Sequence, residues 1–404
     1  MSTTIDLPFW SAEFKRSSYE SYAHLRAEQP VCQVDLPNRR SVWLVTRYDD
    51  VMATLKDPRF IKDWRTALSE EERAKIGPVP ESVRLIGEHM LSFDPPRHTR
   101  LRALVSKAFT PRYIEQLRPR IQQIADGLID AVQARGHMDL IDEFAFPLPI
   151  TVIAEMLGVP AEDRGRFRTW SDAVIAGEPA ADRLERLGVL MDEFTDYLRG
   201  LFEQRRASPG PDLISGLLAA EEQGDRLSER ELFGMVFLLL IAGHETTVNL
   251  IGNGMLALLT HPDQLALLRE RPELVETAVE EFLRYDGPVE TSTMRFATED
   301  VEIGGALIPR GSSVLVVLGS ANRDGQRFGC PHQLDITRAD NRHVAFGYGI
   351  HYCLGAPLAR LEGQVAFATL LRRLPGLRLA APLEELAWRP SMIVRGLRGL
   401  PVEF

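Results

Sequence analysis

The chain has 404 residues, 45% of them hydrophobic and 26% charged, with a formal net charge of −10. That balance belongs to a globular protein with a large core, and the acidic excess excludes a general nucleic-acid binder, which needs a basic face. Three widely separated cysteines, Cys32, Cys330 and Cys353, form no disulfide framework and point to a reducing cytoplasm.

The N-terminal MSTTIDLPFWSAEFKRSSYE has no continuous apolar core and no cleavage pattern. The longest apolar run, MVFLLLIA at 235–242, is far shorter than a membrane span, so no membrane anchor is expected. In chain order, SVWLVTRY at 41–48 reads as a strand, and DPPRHTRLRALVSKAF at 94–109 starts a helix just after a proline pair. YIEQLRPRIQQIADGLIDAVQARG (113–136), LGVLMDEFTDYLRGLFEQRR (187–206), ERELFGMVFLLLIAG (229–243) and the segment after Cys353 place apolar residues three and four apart, as helices do. PGPD at 209–212 is a short inter-helix loop, and VEIGGALIPRGSSVLVVLGS at 301–320 reads as a hairpin with glycine turns. No repeat, low-complexity tract or linker divides the chain, so residues 1–404 are expected to form one mainly α domain with a minor sheet region.

Chemistry concentrates at 346–355, FGYGIHYCLG, where a glycine-dense loop runs into a helical pattern. Unpaired N–H groups and the dipole at a helix start favour a thiolate at Cys353. Zinc lacks a second cysteine or histidine at finger or ribbon spacing, and His351 cannot be assigned as the activating base of a cysteine hydrolase from sequence. A buried structural cysteine is the plain alternative, and a thiolate as sole protein ligand of a haem iron is the metal option left.

A haem makes demands elsewhere. In FLLLIAGHETTVNLIG (237–252) an apolar helix is interrupted by Ala242-Gly243 and then by Glu245-Thr246-Thr247. Small residues there open space for dioxygen, and an acid with a hydroxyl can relay protons; the alternative is a core helix with a polar patch. His98, Arg102, Arg295 and His351 are candidate cations for two propionates. Glu281-x-x-Arg284 has the spacing of a helix-face ion pair, but the same spacing recurs at 13–16, 70–73, 81–84, 115–118 and 203–206, so only its position upstream of the cysteine loop gives it value.

These segments together resemble the cytochrome P450 superfamily over almost the whole chain: FGYGIHYCLG its haem loop, AGHETT its oxygen-activating helix, EEFLR its Glu-x-x-Arg helix, with DPPRHTRLR and ANRD similar to soluble bacterial members. The resemblance implies the mainly α P450 fold, a large helical lobe with a smaller β-rich region and haem b between the oxygen-activating helix and the cysteine loop. It implies Cys353 as axial ligand, Phe346, Gly347 and Gly355 around the sulfur, Ala242 and Gly243 beside the haem, Thr246 and Glu245 as the oxygen and proton machinery, and a structural triad of Glu281, Arg284 and Arg338. His98, Arg102, Arg295 and His351 match the propionate positions. His244 is the only residue that raises a second axial ligand.

By the same analogy O2 is co-substrate and NAD(P)H electrons arrive from outside, through a small acidic ferredoxin or a flavodoxin with its reductase, docked near Lys107 and Arg360; a monomer is expected. The analogous pocket walls are the regions around 85–92 and 167–178, the oxygen helix, 289–293 and 391–394. Leu85, Ile86, Met90, Leu91, Val174, Leu238, Ala242, Val289, Thr291 and Ile393 are its candidate lining, with Glu290 as a polar contact or a solvated loop charge. That set implies a bulky lipophilic substrate, most similar to polyketides and macrolides, with fatty acids and terpenoids as alternatives. A peroxide-driven peroxygenase would be expected to lack the acid–hydroxyl pair, and a haem sensor to carry an output domain.

Overall fold

The computed structural model describes residues 1–404 except 1–4, 6, 37–40, 75–79, 108, 176–182, 223 and 224. The helices that build the site are α1 (Ala12–Glu28), α2 (Arg97–Ser106), α3 (Pro147–Leu157), α4 (Arg164–Ile175), α5 (Glu229–Leu259), α6 (Val275–Asp286) and α7 (Ala356–Arg373). Local chemistry fixes where they begin. The Ser11 side chain accepts from the N–H of Phe14 at the start of α1, and α2 opens directly after Pro96. At α5, Ser228 and Glu231 satisfy each other's backbone N–H groups in a capping box.

α5 is the axis of the larger lobe, and at 1.5 Å per residue it runs about 46 Å. By length and hydropathy it could cross a membrane, yet 72% of its most apolar window is buried inside the protein, as expected of a core helix. Counting only the unbroken run at 235–242 therefore understates this element. The periodicity at 113–136 predicts one helix, but two form, Pro111–Gln116 and Arg118–Gln133. Pro119 has no N–H to donate across the junction, so the break falls there.

The β region lies to one side. The strands are β1 (Val31–Asp35), β2 (Ser41–Val45), β3 (Phe60–Ile61), β4 (Arg295–Ala297), β5 (Val301–Ile303), β6 (Ala306–Ile308) and β7 (Ser313–Val316). Five of them form one sheet in the order β1-β2-β7-β4-β3. β7 runs parallel to β2 with Val314 opposite Trp43, and β4 pairs antiparallel with both β7 and β3. The segment 301–320 thus divides. β5 and β6 make the expected hairpin through Gly304 and Gly305, both at positive φ, while β7 leaves it for the centre of the larger sheet. The run Val314-Leu315-Val316 is apolar on both faces and fully or almost fully buried, which suits a central strand better than a hairpin edge. SVWLVTRY is strand only to Val45, since Tyr48 already opens a helix. A small sheet of His137–Asp139, Pro401–Glu403 and Arg378–Leu379 has no period-two signal long enough to read.

Candidate haem-thiolate site

Cys353 stands three residues before α7, and its N–H donates to Phe346 O at 2.9 Å, which closes the loop. Gly347 and Gly349 both lie at positive φ, and a Cβ on Gly349 would meet Leu55 O at 3.1 Å, so the loop requires glycine at those positions. Burial pushes the Cys353 thiol up, and the N–H groups of Gly355 and Ala356 with the guanidiniums of Arg102 and Arg360 pull it back. Donors are therefore already aimed at the sulfur, with cations around it.

A second group of basic side chains gathers beside the loop. The rings of His98 and His351 touch edge-on, 4.4 Å between centroids, and Arg102 is four residues beyond His98 on the same face of α2. Burial, then Lys62, Arg295, His98 and Arg102, push His351 down to about 2, while burial and Arg102 lower His98. Both ring nitrogens of His98, Nε2 of His351 and Nε of Arg295 are buried without a hydrogen-bond partner among the described residues. Buried polar atoms in native proteins are almost always paired, so this cradle calls for a ligand with several acceptor oxygens and negative charge. Haem propionates are such a ligand, and the residues present fit them. The sequence missed Lys62, which nothing in its spacing distinguishes.

On α5 the two small residues do different things. Ala242 is exposed in the middle of a buried helix, and Thr246, one turn on, donates its hydroxyl to Ala242 O at 3.0 Å. Gly243 faces elsewhere: a Cβ there would come within 3.0 Å of Ile153 Cγ1, so this glycine lets α3 and α5 approach. Glu245 is buried and held by Arg389 at 3.1 Å and Asn249 at 3.4 Å, both through Oε1. Asn249 was recoverable as the i+4 neighbour of Glu245, whereas Arg389 lies 144 positions away. His244 is fully buried between Ser171 Oγ at 3.0 Å and Leu240 O at 2.8 Å, against the Phe146 ring, so it ties α5 to α4 rather than offering an axial ligand.

The Glu-x-x-Arg pair on α6 is fully buried. Arg284 meets Glu281 at 2.8 and 2.7 Å and sends its other N–H groups to the carbonyls of Asn322, Pro331 and Gln333. Arg338 and Asn341 close on Glu281 from the opposite side, at 3.1 and 3.2 Å. The five other copies of the spacing are helix-surface positions or unpaired by it, as the sequence cautioned.

Three expectations need correction. Glu290 is neither a pocket contact nor a solvated charge: it is fully buried in an ion pair with Lys15 of α1. Thr291 is also fully buried and spends its hydroxyl on Met392 O at 2.7 Å. Arg360 is no free docking cation, because it grips Glu280 at 2.6 and 2.8 Å and lies over the Phe346 ring at 4.5 Å. It clamps the cysteine loop.

Among the other proposed lining residues, Ile86 and Met90 are buried in the helical core, and the Met90 N–H points to Met235 Sδ at 3.4 Å. Leu85, Leu91, Val174, Leu238, Val289 and Ile393 are half-buried. Val289 bridges to Val394, and Ile393 O accepts from the N–H of Glu290 at 2.8 Å, so the 289–291 and 391–394 walls are one paired unit. Of the 167–178 region, residues 176–178 lie outside the described residues.

Comparison with known proteins agrees with this geometry. The family model described as Cytochrome P450 matches residues 180–375. The chain is 49% identical over 404 residues to cytochrome P450 monooxygenase PikC of Streptomyces venezuelae, covering 99% of this chain and 94% of that one. It is 46% identical over 407 residues to 6-deoxyerythronolide B hydroxylase of Saccharopolyspora erythraea, covering 100% and 99%. The crystal structure of myxobacterial cytochrome P450 CYP267B1 in complex with myristic acid superposes with a TM-score of 0.93 at 50% identity, covering 98% of each chain.

Proposed function

We infer that this chain, which belongs to the cytochrome P450 family, holds its haem b through the Cys353 thiolate and oxidises a bulky lipophilic molecule of the polyketide or macrolide kind. The enzyme is a monooxygenase: substrate, dioxygen, two electrons and two protons become hydroxylated product and water. The observation that carries the residue assignment is the setting of Cys353: a loop closed by its N–H on Phe346 O at 2.9 Å, with Gly347 and Gly349 at positive φ, beside the buried, unpartnered nitrogens of His98, His351 and Arg295. Haem bound there supplies oxygen activation, strengthened by an electron-rich thiolate.

The protein's own groups do the rest. The peptide N–H groups and cations offset part of the burial that raises the Cys353 thiol, and its conversion to thiolate is completed with iron bound. His98, Arg102, Arg295 and His351 receive the propionates. Thr246 can turn its hydroxyl from Ala242 O toward dioxygen, since that hydrogen bond lies on the exposed side of α5. Glu245 is the proton source, and Arg389 positions it, so each delivery requires the carboxylate to leave Arg389 and return. Glu281, Arg284 and Arg338 brace the segment before the cysteine loop.

Electrons from NAD(P)H arrive through external redox partners. A small acidic ferredoxin, or a flavodoxin with its reductase, docks on the loop face where Tyr348, Ile350 and Tyr352 are 40, 49 and 39% exposed, with Lys107 nearby in sequence to α2. The three cysteines are free, which suits the cytoplasm, and residues 1–404 act as one monomeric domain. Similarity to a hydroxylase of 6-deoxyerythronolide B favours a polyketide substrate, while the myristic acid complex keeps a fatty acid as second reading.

The reduced, carbon-monoxide difference spectrum tests the core of this assignment. A Soret band near ~450 nm in wild type that is lost in Cys353→Ser is the expected result; a wild-type band near ~420 nm in stably folded protein contradicts it. Spin-state titrations with macrolides, fatty acids and terpenoids then rank the substrate classes, and Thr246→Ala should keep the haem but uncouple oxygen consumption from product.

A further inference from the structure

Lys62 is buried, and among the described residues no carboxylate bonds its amine; burial and then Arg295 hold that amine well below its ordinary value, with Asp94 pulling it back, so it needs further negative charge nearby to stay protonated. Its three N–H groups point at neutral oxygens: Thr293 O at 2.7 Å, Thr293 Oγ1 at 2.5 Å and Met294 O at 3.2 Å. The nearest acid, Asp94, is occupied by the backbone N–H groups of Lys62 and Asp63 at 2.9–3.0 Å. A buried cation satisfied only by dipoles is costly unless an anion lies close by.

The sheet shows where such an anion belongs. β3 and β4 pair with Phe60 opposite Ala297 and Ile61 opposite Phe296; the ladder ends there, and the same register continued by one step would face Lys62, just beyond the strand, with Arg295, whose charge acts on it. Residues directly opposite in an antiparallel pair share a face, and two like charges there repel. Arg295 is itself buried, with Nε unpartnered and NH1 on Phe60 O at 3.2 Å. Both cations act on His351, whose Nε2 is also without a partner. Asp94 acts on both cations without forming an ion pair with either, so one carboxylate faces two buried positive groups and a further anion in front of them would complete the compensation.

We propose that Lys62 is a fifth basic side chain of the propionate cradle, acting on the haem carboxylate through charge rather than as a donor, with Thr293 and Met294 holding it in place. This rests on the haem-thiolate reading above and extends it to a residue outside the expected set. It also joins the propionate end to the 289–293 wall, because the acceptors of Lys62 are that wall's last residue and the one after it.

The test uses purified holoenzyme, with wild type first required to give the ~450 nm band; failure there defeats the proposed function itself and not this inference. Lys62→Met should speed haem transfer to excess apomyoglobin about tenfold, the effect of one lost charge at partly screened range, and lower the haem reduction potential. Lys62→Arg should restore both. Unchanged transfer rate and potential with a lowered melting temperature would reduce Lys62 to a prop for the Thr293–Met294 backbone and overturn the proposal. Weaker myristate binding with haem transfer unchanged would assign the charge to a substrate carboxylate, which also overturns it. Should Lys62→Met not fold, Lys62→Gln, which keeps the polar contacts and drops the charge, is read by the same criteria.

Discussion

Two groups of buried charge in this protein are built on opposite principles. Around α6, Glu281 and Arg284 have every partner within the chain: each other, Arg338, Asn341, the Asp335 N–H and three backbone carbonyls. Around the propionate cradle, His98, His351 and Arg295 leave buried nitrogens without partners, and Lys62 is met by dipoles alone. A closed network fixes the fold; an open one waits for a ligand. Charge that looks equally buried can therefore be sorted into scaffold and site by whether its hydrogen bonds are complete.

The sharpest way to break this contrast is to open the closed network. Arg284→Ala removes the bidentate partner of Glu281, leaving Arg338 as its cation, and strips three backbone carbonyls of their donor; it should cost about 5 kcal/mol, with little holoprotein recovered, as read by thermal unfolding and haem content. Glu362 is an intermediate case, since it is fully buried on α7, neither oxygen makes a well-aligned hydrogen bond among the described residues, and burial raises its carboxyl to about 8 against a smaller pull from the nearby Thr247 hydroxyl. Its folded value lies above its unfolded 4.5, so its contribution is fully present below pH 4.5 and is lost as pH rises to about 8. Glu362→Gln should remove that slope and leave the protein roughly 4 kcal/mol more stable above pH 8, measured by melting across pH.

Glu290→Gln unpairs Lys15 and should cost about 3 kcal/mol. The loss is smaller than for Arg284 because burial and Arg395 already lower Lys15 well below its usual value, so the amine can shed its proton. Substrate affinity should be nearly unchanged, since Glu290 faces α1; a large change in spin-state titration would return it to the pocket. The smallest effect tests the open network. His98→Leu should leave haem-free protein as stable or about 1 kcal/mol more stable, since it removes unsatisfied nitrogens, yet should weaken haem retention. Destabilisation of both forms would place His98 with the scaffold.

What the sequence disclosed follows from how local each signal is. The cysteine loop, the Ala-Gly-x-Glu-Thr-Thr interruption of α5 and most helices depend on residues within a few positions of one another, so pattern alone found them. The sheet escaped because β3 and β4 have two and three residues, too few to alternate visibly. Lys62, Arg389 and the Lys15–Glu290 pair escaped because their partners lie more than a hundred positions away and carry no spacing of their own. Gly243 was noticed for the right oddity and the wrong cause, since its missing side chain admits Ile153.

Lys15 binds Glu290 within the 289–291 wall, and Arg395, beside the other wall, bonds to Lys15 O, Ser18 Oγ and, at 2.6 Å, Asp286. The first helix is thus a doorpost, holding both walls from behind. Anyone reshaping the enzyme's appetite by trimming the leading eighteen residues, or by grafting a relative's front end, would be altering selectivity from outside the chamber.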